Sequence, residues 1–323
     1  MIAWALHNLW PHLKDFSKLW ELKNNINYFW LFIAIFSQLF QYLGDGWLSQ
    51  LLLKIIGIHM KMRDTFRIAA LNVFAAHLLP IGEAGGIAAA YHFYRKLGVT
   101  PEKFIFMSIC WAVVTYVLLF FLFFVPILFL PRLPLSMGTQ ILVISGACVV
   151  AGIILYILRK GIFRKLKKFL GKYSWFQHFE SFAQNHKSYQ RLLIEQPGMV
   201  TKSLIAGLIY YASNIATLGF SFLTFGESPS IALLTFAYSV SLLLGRITLA
   251  PAGLGATEAT LILIFLTAQT GGNNGNIVLA AVLMYRFISF WLPIPGGAFA
   301  YYSLRKELGK KVVDQDIEKA MHL

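Results

Sequence analysis

A strongly apolar chain that breaks its own hydrophobic run has few ways to fold, and this one does so twice. The breaks read LPIGEAGG at residues 79–86 and APAGLGATE at residues 250–258, each a Pro/Gly cluster carrying one glutamate. Each lies between two apolar segments too short to cross a bilayer alone. Irregular backbone at membrane depth is tolerated only where protein or a water-filled cavity satisfies its N–H and C=O groups. Paired helix breaks in corresponding halves of a membrane protein point to a binding site near the bilayer midplane.

The membrane assignment rests on composition. Hydrophobic residues make up 58% of the 323, charged residues 13%, and the mean hydropathy is +0.65, outside the range of a soluble domain. Several stretches reach the roughly 20 apolar residues that span the hydrocarbon as helix. Tyr28, Trp30, Trp47, Trp291, Tyr301 and Tyr302 suit the aromatic belts. Residues 1–10 lack the basic lead and the small-residue cleavage site of a signal peptide. Cys110 and Cys148 fall inside apolar spans and read as small core residues. The net charge of +14 is explained by basic loops at an anionic leaflet, not by nucleic acid.

The expected fold class is all-α: a polytopic membrane helix bundle with two re-entrant helical hairpins in an inverted-topology repeat. Residues 1–25 read as an interfacial segment with Lys14, Lys18 and Lys23 on its polar side. A membrane domain covers 26–305, with repeat halves at about 26–130 and 199–304. A connector span lies at 137–158, a basic cytoplasmic loop at 159–198, and a cytoplasmic tail at 306–323. The first half holds a long span, 26–58, interrupted by Gly44-Asp45-Gly46 and taken as tilted or kinked. Arms 66–79 and 84–97 follow, each about 21 Å long at helical rise, then span 103–130. The second half holds span 199–225, arms 230–249 and 255–270, and span 277–304. Lys61, Arg63 and Arg67 precede the first hairpin and Arg95, Lys96 and Lys103 follow it, so it enters from the cytoplasm. The flanks of the second carry no Lys or Arg, so it enters from outside. The expected location is the bacterial inner or cytoplasmic membrane.

Charge within the membrane is costly and marks function by default, which selects Glu83, Arg246, Glu258 and Arg286. Arginines bind phosphate bidentately, and helix N-termini after the two turns offer free N–H groups to an anion. The competing reading is an Arg–Glu lock that touches no ligand. The turns themselves are assigned to Pro80, Gly82, Gly85 and Gly86 and to Pro251, Gly253 and Gly255, glycines that simple helix packing also explains. His77 and His92 flank the first turn as candidate proton relays or as hydrogen-bonded core residues. HExxH, GxSxG, Walker A, dinucleotide-turn and CxxC patterns are missing from the sequence, so no enzyme, cofactor or metal is expected.

Pro251-Ala252-Gly253-Leu254-Gly255-Ala256-Thr257-Glu258 resembles the Pro-x-Gly-x-Gly-x-x-Glu element of the membrane region of the lysylphosphatidylglycerol synthase family. Arg286, and Leu79-Pro80 with Gly82, Gly85 and Gly86, extend the resemblance over roughly residues 26–305. It implies a flippase-like protein that moves an anionic lipid between leaflets. Three departures stand out. With about twenty residues after the last span, no soluble aminoacyltransferase domain is expected here. An N-terminal span usual in the family is absent or reduced to residues 1–10. An arginine common after the first hairpin is replaced by Ile109-Cys110-Trp111-Ala112, so a two-arginine clamp must come from the second half.

The leading expectation is therefore a protein that binds and translocates an anionic phospholipid or a polyprenyl-phosphate-linked lipid. One alternative is a non-transporting partner that holds a lipid for a membrane glycosyltransferase or aminoacyltransferase. Another is a proton-coupled small-solute carrier using Glu83 and Glu258. The sequence leaves the headgroup, the energy source and the oligomeric state open.

Overall fold

The computed structural model describes residues 26–79, 82–130, 191–247, 253–268 and 275–321, with side chains to residue 307 in the last segment. The expected interfacial segment 1–25, the connector 137–158, most of the basic loop, Pro80 and Pro251 lie outside the described residues. Within them the regular structure is helical: α1 Tyr28–Ile55, α2 Met62–Leu78, α3 Glu83–Lys96, α4 Pro101–Ile127, α5 Pro197–Leu223, α6 Ile231–Ile247, α7 Ala256–Ala268 and α8 Gly275–Arg286. A π-turn, Phe287–Trp291, joins α8 to α9, Pro293–Met321.

Local sequence sets these boundaries. The Asn27 side chain accepts the Phe29 N–H at 3.1 Å and starts α1, as an N-cap should. Prolines open α4 and α5, where the missing N–H is unneeded. Three stretches, Pro101–Ile127, Pro197–Leu223 and Gly275–Glu307, are long and apolar enough to cross a membrane. Phe32, Val113, Phe121, Phe129 and Phe299 project outward and exposed, as suits a surface solvated by lipid tails.

The interruption expected at Gly44-Asp45-Gly46 is not a break: α1 runs unbroken through it with all three residues buried. The glycines serve contact instead. A Cβ on Gly44 would lie 2.7 Å from the Tyr210 nitrogen on α5, and one on Gly46 would lie 2.9 Å from Phe66 Cα on α2. Helix backbones that approach this closely need small residues, and that gain offsets the roughly 1 kcal/mol helical penalty of glycine.

The helices run in a definite sense. α1 and α5 pack antiparallel along their length: Asn27 N–H donates to the Thr224 carbonyl at 2.9 Å, and the Gln196 amide reaches the Ile55 carbonyl at 3.4 Å. Midway, the Ser37 and Thr217 hydroxyls share a 2.7 Å hydrogen bond. At the Ile55 end, Arg63 and Arg67 at the start of α2 bond Glu307 of α9 at 3.2 and 2.9 Å. One end of the bundle thus gathers Lys61, Arg63, Arg67 and Arg305, while the other carries Asn27, Thr224 and Glu227. α2 and α3 leave from and return to the basic end. α6 and α7 do the same from the opposite end, between α5 and α8.

The core fills the space between these layers. Tyr211, Leu218 and Phe222 of α5 and Leu261 and Phe265 of α7 are fully buried, with the Phe222 and Phe265 rings 4.4 Å apart. Tyr211 donates its hydroxyl to the Thr115 carbonyl of α4 at 3.1 Å. This satisfies the polar tip that a buried tyrosine brings.

Candidate functional site

Both helix breaks are built on glycine. Gly82 precedes α3 with φ +55° and ψ −128°, a conformation that side chains resist. Gly253 and Gly255 have φ +66° and +83°. A Cβ on Gly253 would lie 2.6 Å from Gly245 Cα, so that glycine also lets α6 and the following turn touch. Gly85 and Gly86, assigned to the turn from sequence, stand inside the first turn of α3, where Gly86 presses against Asn72 of α2.

The four charged residues singled out from sequence form two ion pairs. Glu83, at the first position of α3, meets Arg246 in the last turn of α6, Oε1 to Nε 3.1 Å. Glu258, in the first turn of α7, meets Arg286 at the end of α8, Oε1 to Nε 2.6 Å. The first pair joins the two hairpin tips across 163 positions of sequence. Glu258 is also tied locally: its Oε2 accepts the Gly255 N–H at 2.7 Å. That bond is the reach-back half of a capping box, from the third helical residue to the cap.

The pairs differ in environment. The Arg286 and Glu258 side chains are 11% and 17% exposed, whereas Arg246 is 13% exposed and Glu83 is 59% exposed. Arg246 lies over the Tyr116 ring at 5.0 Å, and Arg286 over the Phe290 ring at 5.2 Å. Both carboxylates grip their arginine at Nε. Arg246 Nη1 is buried with no hydrogen-bond partner among the described residues.

Both arginines face one cavity of about 570 Å³, lined also by Asp45, Gly82, Glu83, Tyr210, Asn214 and Gly253. Glu258 reaches it through Arg286. His77 shares the lining. Its Nδ1–H donates to the Phe290 carbonyl at 3.1 Å, with the rings stacked at 4.3 Å, so it has the partners of a packed core histidine.

Sequence reasoning passed over Asp45 as a site residue. It is 5% exposed, lines the cavity and accepts the Trp111 indole N–H at 2.7 Å. The signal was available: Gln38, Gln41, Tyr42, Asp45 and Ser49 recur at three- and four-residue intervals on an otherwise apolar helix. Trp111 itself falls in the stretch that lacks the arginine expected after the first hairpin.

The chain is similar to known proteins over nearly all its length. Residues 2–297 match the family described as the lysylphosphatidylglycerol synthase TM region. A UPF0104 membrane protein of Methanocaldococcus jannaschii is 24% identical over 272 residues, covering 80% of each chain. A UPF0104 membrane protein of Methanothermobacter thermautotrophicus is 23% identical over 129 residues, 40% of this chain and 37% of that one.

Proposed function

The chain belongs to the family of the lysylphosphatidylglycerol synthase TM region, a multi-pass membrane protein, and on that premise we propose that its central cavity binds the headgroup of an anionic lipid and carries it between leaflets. The observation that carries this reading is the pair of guanidiniums facing one cavity, each held at Nε by a carboxylate, with Arg246 Nη1 buried and unpartnered among the described residues. A guanidinium fixed at its Nε is held in a defined plane, and the Arg246 Nη1 group in that plane suits a phosphate oxygen.

In this reading α2–α3 and α6–α7 are re-entrant hairpins of an inverted-topology repeat. The antiparallel packing of α1 on α5, the equivalent first helices of the two halves, supports it. So does the return of each hairpin to the end it left. The basic end is cytoplasmic. Both named relatives are archaeal, and the proposed location is a cell membrane, with no bacterial assignment. The protein acts as a binder and carrier without covalent chemistry of its own.

Purification in native lipid, followed by mass spectrometry of the retained species, tests the proposal. Wild type should retain an anionic lipid, and a monodisperse Arg246→Ala/Arg286→Ala protein should lose it. Arg286→Lys should lose most of it too, since an ammonium lacks the planar fork. Undiminished retention by the double variant would eliminate the headgroup site.

A further inference from the structure

The cavity charges do not balance. Two arginines, 246 and 286, are already matched by Glu83 and Glu258, and Asp45 adds a third carboxylate to the cluster, lining the cavity with Glu83 while Glu258 stands behind Arg286. No cation pairs with Asp45 among the described residues; it accepts from the neutral Trp111 indole. With Asp45 ionised the cluster carries one excess negative charge, and an anionic headgroup would enter against it. With Asp45 protonated the cluster is neutral, and the headgroup meets two oriented guanidiniums. Protonation of Asp45 and anion binding therefore favour one another, and such coupling is reciprocal.

We propose that Asp45 is the proton-coupling residue of this protein: it takes up one proton when the anionic headgroup binds and releases it when the headgroup leaves. This rests on the headgroup reading above. The step is a proton transfer alone, from water to the Asp45 carboxylate and back, with no covalent bond to the lipid.

A second observation points the same way. One and two turns before Asp45, on the same face of α1, stand Tyr42, Gln41 and Gln38, all buried. Gln38 Nε2 donates to Gln41 Oε1. Gln38 Oε1 and the Tyr42 hydroxyl lie beside one another, yet neither has a well-formed hydrogen bond among the described residues. Buried oxygens without a well-formed partner are costly on a membrane helix, and these two lie one and two turns from Asp45 on its own face of α1.

The titratable groups near Asp45 are Tyr42 on its own helix, Tyr94 on α3 and Tyr210 on α5, phenols that are uncharged near neutral pH. Across the cavity stand His77 on α2 and Glu83 on α3, with Arg246 on α6 and Arg286 on α8. Of these, His77 is the rival proton acceptor, and the test must separate the two.

The test is calorimetric titration of the full chain in detergent with dihexanoyl phosphatidylmethanol, a phosphodiester whose single charge does not change between pH 5 and pH 9. Buffers of different ionisation enthalpy report the protons exchanged. Wild type should take up close to one proton per lipid, and its affinity should fall about tenfold per pH unit above the Asp45 transition, the slope of one linked proton. Asp45→Asn should bind at high pH as tightly as wild type does at low pH, with no proton uptake. Trp111→Phe removes the donor that favours the charged carboxylate, so its binding should persist to higher pH. That shift also serves if Asp45→Asn does not fold. Wild-type binding without proton uptake would overturn the proposal and leave the headgroup site standing. So would a slope that survives in Asp45→Asn but vanishes in His77→Gln. Undiminished binding by Arg246→Ala/Arg286→Ala would remove the headgroup site, and this proposal with it.

Discussion

Truncating Glu258 tests how strongly the second ion pair is coupled, because its two oxygens do different work. Oε1 holds Arg286 at 2.6 Å and Oε2 caps α7 through the Gly255 N–H at 2.7 Å. Removing one partner of a buried pair leaves an uncompensated charge and costs about 3–5 kcal/mol. Both side chains here keep slight exposure, so the low end, about 3 kcal/mol, applies. The lost cap adds about 1 kcal/mol. Glu258→Ala should therefore lose about 4 kcal/mol. Glu258→Gln, whose amide oxygen still accepts the Gly255 N–H, should lose about 3 kcal/mol. Arg286→Ala should cost about 3 kcal/mol, yet the double Glu258→Ala/Arg286→Ala should cost far less than the sum, because no charge is stranded. Unfolding by added SDS in mixed micelles, followed by circular dichroism, yields all four values. Additivity within about 0.5 kcal/mol would refute the coupled pair.

Three further outcomes are expected. Gly46→Ala forces a methyl group against the Phe66 backbone and should destabilise by about 1–3 kcal/mol, as overpacking does; unchanged SDS unfolding would contradict the close α1–α2 approach. Glu307 is held below the ordinary glutamate range, first by its hydrogen bond from Arg67 and further by the nearby Arg67 and Arg63 charges. A depressed carboxylate stabilises above its unfolded value and loses that contribution as pH falls through its folded value. The tie between α2 and α9 should therefore loosen on acidification in wild type and be pH-insensitive in Glu307→Gln, measured by hydrogen exchange at the start of α2. An impermeant maleimide applied to intact cells should label Glu227→Cys and spare Lys306→Cys; the reverse pattern would invert the orientation.

The sequence was most legible where the membrane makes errors costly. Pro/Gly clusters announced both breaks, and the placements of α2, α3, α6 and α7 follow them within a few residues. The expense of intramembrane charge singled out Glu83, Arg246, Glu258 and Arg286, all of which the fold brings into two pairs around one cavity. Which glutamate meets which arginine was not legible, since Glu83 and Arg246 converge only through the packing of two hairpins far apart in the chain. Asp45 was overlooked because glycines on either side look like a kink. Their neighbours' backbones, invisible in a single sequence, fill the space that a side chain would take. Gly85 and Gly86 were misplaced for the same reason: a glycine that turns the chain and one that admits a neighbour are spelled alike.

The close approach at Gly44 and Gly46 has a mechanical consequence. α1 is wedged between α5 and α2 at backbone-to-backbone distance, on successive sides of Asp45, and α3 is pressed onto α2 through Gly86. Surfaces meshed at that distance resist sliding, so α1, α2, α3 and α5 form one close-packed block. Shear is easier where side chains pad the interface, as where Phe123 of α4 faces Phe236 of α6 with ring centres 5.8 Å apart. The Glu83–Arg246 contact ties α3 of that block directly to α6, so losing it would loosen α6 from the four close-packed helices.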